Sequence, residues 1–285
     1  MNLQLTKEVT TEEKQKAATY INGDRAPGPD GITGHFYHQF WPIIGDDIIT
    51  EVRDFFRMGL MPSQLNHNNI CLLTKIDKPE KMSDYHPISL CNTSYKIISK
   101  ILMTRLKYIL SEIISPEQTC FVPGRQITDN VMVAHELLHS LNHYHRQSKS
   151  YMAMKTDIRK TYDRVEWNFL EKAMEQLKFN QKWITWIMAC VRTVSFSIVI
   201  NGSPYGEIRP TRGMRQGDPI SPYLFLFCAE MLTQRLRQEE LKCSIKGLSI
   251  SNFGPRVTHL IFADDSLFFC QANAKNCKAL ALVLQ

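Results

Sequence analysis

Two adjacent carboxylates, Asp264 and Asp265, stand between Leu260-Ile-Phe-Ala263 and Ser266-Leu-Phe-Phe-Cys270, stretches apolar enough to form buried strands. Uncompensated charge in such surroundings is costly, so the pair needs a neutralising partner. Turn chemistry between two strands is one explanation, because aspartate favours turns. A metal ion is the other. Asp157 ends a further apolar-flanked strand, Tyr151-Met-Ala-Met-Lys-Thr-Asp157, and if the two strands are neighbours three acids converge. Oxygen clusters of this kind hold Mg²⁺, and two ions about 4 Å apart can activate an attacking hydroxyl and stabilise a leaving oxygen in phosphoryl transfer.

A second constellation competes with the first. His135-Glu-Leu-Leu-His139 fits the zinc-protease helix, in which two histidines one turn apart bind Zn²⁺ and the glutamate acts as base. His145 falls where an extended form of that motif has a third histidine, with Asn142 in place of the usual turn glycine. Short patterns of this kind match by chance, and a solvated helix face explains the same residues.

The elements that must position these groups follow from periodicity. Thr10 and Glu13 fit a capping box ahead of a first helix, and Ala26-Pro-Gly-Pro-Asp-Gly31 must turn. An amphipathic helix is expected from about 34 to 58. Asn69 to Lys75 and Tyr85 to Leu90 read as strands of a basic hairpin joined by a lysine-rich turn. Helices are expected over 95–110, 129–145 and 166–179, and a strand over 151–158. Asn201-Gly-Ser-Pro204 joins strands 195–200 and 206–210 by its turn chemistry, and Asp264-Asp265 sits at the tip of a last hairpin. No internal repeat or Ser/Gly-rich linker interrupts the order.

Composition narrows the class without choosing the function. The 285 residues are 44% hydrophobic and 22% charged, the balance of a globular chain, and no apolar run approaches the length of a membrane-spanning helix. Eight scattered cysteines lack Cys-x-x-Cys spacing and read as reduced core thiols, so no disulfide-linked partner is expected. The N-terminus has no secretory pattern, which gives a nuclear or cytoplasmic expectation. A net charge of +6 suits a polyanionic partner, with basic density confined to 75–81 and 96–107.

Phe262-Ala-Asp-Asp265, Arg212-Gly-Met-Arg-Gln-Gly-Asp-Pro-Ile-Ser-Pro-Tyr-Leu-Phe225 and Lys155-Thr-Asp-Ile-Arg-Lys-Thr-Tyr-Asp-Arg-Val-Glu-Trp167 occur together with three upstream blocks in matching order. Those blocks are Ala26-Pro-Gly-Pro-Asp-Gly31, Lys75 with His86-Pro-Ile-Ser-Leu90, and Phe121-Val-Pro-Gly-Arg-Gln-Ile-Thr-Asp-Asn130. The sequence resembles the reverse transcriptase of non-LTR, LINE-type retrotransposons, of the plant type, over nearly its whole length. The resemblance implies an α/β (α+β) right-hand polymerase, with fingers and an antiparallel palm sheet packed on helices. Residues 1–60 would extend the fingers and 61–285 would form the reverse transcriptase domain, cut before the thumb. It implies RNA-directed DNA synthesis on an RNA template and DNA primer, with deoxynucleoside triphosphates as substrates and no membrane partner. Asp157 and Asp264, with Asp265 beside them, would hold two Mg²⁺ ions, Mn²⁺ being the alternative.

The same resemblance places Lys75 and His86 on the nucleotide triphosphate, Tyr162 under the sugar as a gate against the ribose 2′-hydroxyl, and Gln216 in the nucleotide pocket. Three positions depart from the family pattern: His86 replaces arginine, Thr74 replaces proline and Thr161 replaces alanine. Histidine near neutral pH offers fewer donors at shorter reach than a guanidinium, so weaker nucleotide binding is expected. A nucleic-acid-binding remnant without catalysis, a maturase-like polymerase and the zinc protease are the remaining readings. Arg125, Gln126 and Asn130 are expected to touch template or to brace the fingers, and Arg212 and Arg215 to approach the nucleic-acid backbone, an exposed solvated charge being the alternative for each.

Overall fold

The computed structural model describes residues 1–146, 150–157, 161–251, 254–263 and 265–285, and of 142–146 and 157 the backbone alone. In chain order the elements are α1 (Asn2–Thr6), α2 (Thr11–Thr19), α3 (Gly34–Met58), β1 (His67–Thr74), β2 (Tyr85–Cys91), α4 (Thr93–Lys107), α5 (Leu110–Ile113), α6 (Ile127–Arg146) and β3 (Tyr151–Asp157). There follow α7 (Thr161–Arg164), α8 (Trp167–Gln176), α9 (Gln181–Arg192), β4 (Ser195–Ile200), β5 (Ser203–Ile208), α10 (Ser221–Leu241), β6 (Leu248–Ser249), β7 (Arg256–Val257), β8 (His259–Phe262), β9 (Asp265–Gln271) and α11 (Ala274–Leu284). The fold class is α+β, and two compact units share it: residues 1–108 with 162–225, and 109–161 with 226–285.

The first unit is built on a four-stranded sheet in the order β2-β1-β4-β5. Strands β1 and β2 pair antiparallel, β1 and β4 run parallel, and β4 and β5 form a hairpin. Pro87 and Pro204 lie in the two edge strands, where a missing amide donor is tolerated. Asn201 and Gly202 both have positive φ, 51° and 81°, the backbone that a tight two-residue hairpin demands. Strand β5 therefore begins at Ser203, three residues earlier than the periodicity suggests, because the turn needs only Asn201 and Gly202.

Helices cover this sheet with the N-terminal segment drawn in. Thr10 accepts from the Glu13 amide and Glu13 from the Thr10 amide, so the capping box forms as read. Arg105, buried on α4, then binds Glu13 through two nitrogens at 2.9 Å and donates to the carbonyls of Leu5, Lys7 and Glu8. Burial and that guanidinium act oppositely on Glu13, and its carboxyl is held below the ordinary value. Trp186 packs edge-on to Phe56 at 4.9 Å and donates to the Phe56 carbonyl, fixing α9 to the end of α3.

The turn at 26–31 is explained by close approach. A Cβ on Gly28 would sit 2.5 Å from Asn92 Oδ1, because Asn92 accepts from the Asp30 amide and donates to the carbonyls of Gln64 and Leu65. One asparagine thus ties the loop to the end of β2, and only glycine leaves room.

The second unit is a three-stranded antiparallel sheet in the order β3-β9-β8. Its central strand is apolar on both faces. Phe268 and Cys270 join Met152 and Met154 against Leu232 and Leu236 of α10 and Leu280 of α11. Leu267 and Phe269 join Tyr151 against Val133, Leu137 and Leu141 of α6. A strand sandwiched between two helix layers reads as a continuous hydrophobic run, which is why Ser-Leu-Phe-Phe-Cys shows no alternation.

Candidate active site

The three predicted acids fall on the second unit. The β3 and β9 ladder runs from Tyr151 opposite Gln271 to Asp157 opposite Asp265, so two of the acids face each other at the end of the ladder. Directly opposed residues in an antiparallel pair have Cα atoms roughly 4.5–5.5 Å apart. Asp265 is half exposed and pairs with Lys155 Nζ at 3.1 Å, diagonally across the same ladder. Asp264 and the Asp157 side chain lie outside the described residues. Phe262 pairs with Asp265, so β8 and β9 are joined by the two residues Ala263 and Asp264. Ala263 has φ 52°, a left-handed conformation that costs a non-glycine residue about 1–2 kcal/mol. Strained backbone of this kind clusters at functional sites.

The loops beside this sheet are braced by side chains with no exposed role. Arg125 donates to the carbonyls of Ile114, Ser115 and Gln118 at 2.6–2.7 Å. Asn130 donates to those of Glu117 and Ile261. Ser115 in turn gives its amide and hydroxyl to the buried carboxylate of Glu230. Of the two roles expected for Arg125 and Asn130, bracing is the one these contacts describe.

The predicted nucleotide residues fall on the first unit. Lys75 follows β1 and its amide donates to the Asp84 carbonyl, while His86 sits opposite Leu73 on the same hairpin, so the two cationic candidates share one basic ribbon. Both are exposed, and Lys75 Nζ donates to the Ser83 carbonyl at 2.9 Å. Asp84 accepts the amides of Glu80 and Lys81, and those bonds hold its carboxyl below the ordinary range and shape the turn.

Tyr162 and Gln216 line one cavity of about 490 Å³. The Tyr162 ring stacks on Phe225 at 5.5 Å, and its carbonyl accepts from the Met214 amide. The Gln216 backbone carbonyl accepts from the Ser89 amide at 3.0 Å, which ties the 212–217 loop to the basic ribbon. Gly213 and Gly217 make this loop possible. Their φ values are 90° and 105°, and a Cβ on either would press on a backbone carbonyl, of Asp163 or of Ser89.

Arg215 departs from expectation. It is neither an exposed charge nor placed for nucleic acid, but 5% exposed and paired with Asp218, 3% exposed, at 2.9 Å. It also donates to Asn66 Oδ1, to the Cys190 carbonyl and to the Tyr95 hydroxyl, and lies over the Tyr95 ring. Asp218 is completed by the Ser99 and Tyr95 hydroxyls. Burial pulls the guanidinium down, but Tyr95 and Asp218 outweigh it and hold Arg215 above its ordinary value. Burial likewise pushes the neighbouring Cys91 and Cys190 thiols up to about 11 and about 12. Nothing in the local sequence marks this core, because its partners come from residues 66, 95, 99 and 190. Arg212 is exposed and pairs with Glu166 at 3.3 Å.

His135, Glu136 and His139 are exposed along α6, opposite the Leu137 face that packs on the sheet. The Asn142 and His145 side chains lie outside the described residues. Among the described residues no three His, Cys, Asp or Glu side chains gather to hold a metal.

The fold is an α+β chain in which Asp157 and Asp265 close an antiparallel ladder and Lys75 and His86 share a basic ribbon. Residues 76–285 match the family described as reverse transcriptase (RNA-dependent DNA polymerase). The chain is 29% identical over 92% of its length to the transposon TX1 uncharacterized 149 kDa protein of Xenopus laevis, and 23% identical over 91% to the retrovirus-related Pol polyprotein from the type-2 retrotransposable element R2DM of Drosophila melanogaster. A shorter likeness, 48% over 24% of the chain, is to an uncharacterized mitochondrial protein of Arabidopsis thaliana, 56% of which it covers. The chain belongs to the reverse transcriptase family, in its non-LTR, LINE-type branch. It spans 20% and 23% of the length of the Xenopus and Drosophila relatives.

Proposed function

We propose that this chain is an RNA-directed DNA polymerase domain that extends a DNA primer on an RNA template from deoxynucleoside triphosphates. The observation that carries the reading is the register of β3 on β9, which sets Asp157 opposite Asp265, the residue that follows Asp264 in the chain. A donor set of carboxylates without sulfur or imidazole suits a hard, oxygen-seeking cation. Asp157 and Asp264, with Asp265 beside them, would hold two Mg²⁺ ions, or Mn²⁺ in their place. The chemistry such ions would supply is activation of the primer 3′-hydroxyl and stabilisation of the departing pyrophosphate.

The chain's own residues orient the reactants. Lys155 keeps a cation against Asp265, which fixes that carboxylate at the strand start. In this reading the β3-β9-β8 sheet is the palm and the β1-β2 ribbon belongs to the fingers. Lys75 and His86 contact the triphosphate, Tyr162 rejects the ribose 2′-hydroxyl from its stack on Phe225, and Gln216 donates or accepts through its amide at the sugar. Nuclear or cytoplasmic residence is part of the same proposal. Among the described residues no helix is long and apolar enough to cross a membrane.

The test is primer extension on an RNA template with Mg²⁺ and deoxynucleotides, run beside Asp157→Asn. Extension by the parent chain, lost in the variant, supports the reading. RNA binding without extension, even after His86→Arg, would reduce the chain to a binding remnant.

A further inference from the structure

Helix α4 is buried almost all round. Of its fifteen residues only Lys96, Lys100, Thr104 and Lys107 escape burial, and they follow one another at helical spacing along a single stripe. Lys100 and Lys107 line the same 490 Å³ cavity as Tyr162 and Gln216, and Arg25, delivered by the loop that Asn92 anchors, lines it too. The ion pairs among the described residues include none to Arg25, Lys100 or Lys107. Asp218 is the one acid among the cavity's lining residues, and it is already bound by Arg215, Tyr95 and Ser99.

What the cations do meet is neutral. Lys100 Nζ lies 5.6 Å from the Tyr20 ring and Lys107 Nζ 5.8 Å from the Tyr223 ring, contacts that orient an ammonium without cancelling its charge. Burial, and then the like charges of Lys107 and Arg25, hold Lys100 below its ordinary pKa. Three mutually repelling cations around one cavity raise the free energy of the empty protein, and an anion arriving there relieves it.

We propose that the cleft formed by Arg25, Lys100 and Lys107 binds the sugar-phosphate backbone of a nucleic-acid strand. The choice of a strand over a free triphosphate follows from layout. Lys100 and Lys107 are seven residues apart, about 10 Å along the helix axis, and Lys96 extends the row by another turn. Successive phosphates along a strand suit such a row better than one compact triphosphate does. Phosphate contacts position a strand without reading its sequence, so RNA and DNA oligonucleotides should both be held. The assignment of that strand to the template or primer rests on the polymerase reading above.

Salt-dependent anisotropy of a labelled 12-nucleotide RNA, with a DNA counterpart, measures it. For single strands each neutralised phosphate contributes about 0.7 to the slope of log K against log salt. Arg25→Gln, Lys100→Gln, Lys107→Gln together should flatten the slope by about 2 and weaken binding about 100-fold at 0.1 M salt. Neutralising Lys16, Lys172 and Lys275, exposed lysines elsewhere, should leave the slope nearly unchanged. Lys107→Gln alone, flattening it by about 0.7, covers the case of a poorly folded triple variant.

An unchanged slope in the cleft variants, or an equal loss in the control variant, overturns the proposal. So does sodium tripolyphosphate displacing the RNA far more strongly than its ionic strength explains. Extension by the parent chain with no slope change would sink the cleft and spare the polymerase. A flattened slope with no extension would do the reverse.

Discussion

Replacing Asp218 with asparagine should destabilise the first unit by about 3–5 kcal/mol, the usual cost of stranding one member of a buried ion pair. Arg215 is 5% exposed, and its neighbours Tyr95, Cys91 and Cys190 are also buried, so the guanidinium left behind has little solvent to meet. Asparagine retains one acceptor for Ser99 or Tyr95 but supplies no charge. With a urea m-value of about 2 kcal/mol/M, the midpoint should fall by roughly 1.5–2.5 M. All four tryptophans, 41, 167, 183 and 186, belong to this unit, so intrinsic fluorescence reports its unfolding directly. The double variant Arg215→Met, Asp218→Leu should cost clearly less than the sum of its single changes, because no uncompensated charge remains. Removing Glu207 from its exposed pair with Arg209 should cost under about 1 kcal/mol. A loss below about 1 kcal/mol for Asp218→Asn, or strictly additive single and double changes, would refute the argument that this pair organises the core.

His259 is fully buried between the Thr258 and Thr233 hydroxyls, and burial lowers its pKa to about 4. The folded state therefore resists a proton that the unfolded chain accepts near pH 6.5. Its contribution is complete above that pH, is lost as pH falls toward 4, and amounts to roughly 3 kcal/mol. His259→Gln should flatten the pH dependence of urea stability between pH 6.5 and 4, and an unaltered profile would remove His259 as its source. Gly28→Ala should lower stability by about 1–3 kcal/mol, since the added methyl meets the Asn92 backbone nitrogen at 2.4 Å and its side-chain oxygen at 2.5 Å. Native-state hydrogen exchange of the 26–31 loop should show it, and unchanged protection would mean that the backbone gives way freely.

Much of the candidate site was legible in the chain. The acids announced themselves by being charged inside apolar runs, one hairpin tip by Asn-Gly and helix α3 by its periodicity, whereas Asp265, expected at a hairpin tip, is the first residue of strand β9, paired with Phe262. The family blocks then gave each of these a role. Helix α10 is not legible in this way, because a helix buried on most sides loses the polar face that makes periodicity visible.

Local spacing by itself determined where strands, turns and the first helix cap would form, because those depend on residues within a few positions of one another. Pairing across the chain was decided only in three dimensions. Asp157 meets Asp265 through a register set by which faces of β9 are covered by α6, α10 and α11. Arg215 reads in sequence like any loop cation, and becomes a core residue because Asp218, Tyr95, Asn66 and the Cys190 carbonyl close around it. The basic density over 96–107 becomes a row only because burial of every other face of α4 but that of Thr104 leaves Lys96, Lys100 and Lys107 as the helix's unburied stripe. Burial is a property of what packs against a residue, and distant parts of the chain supply it.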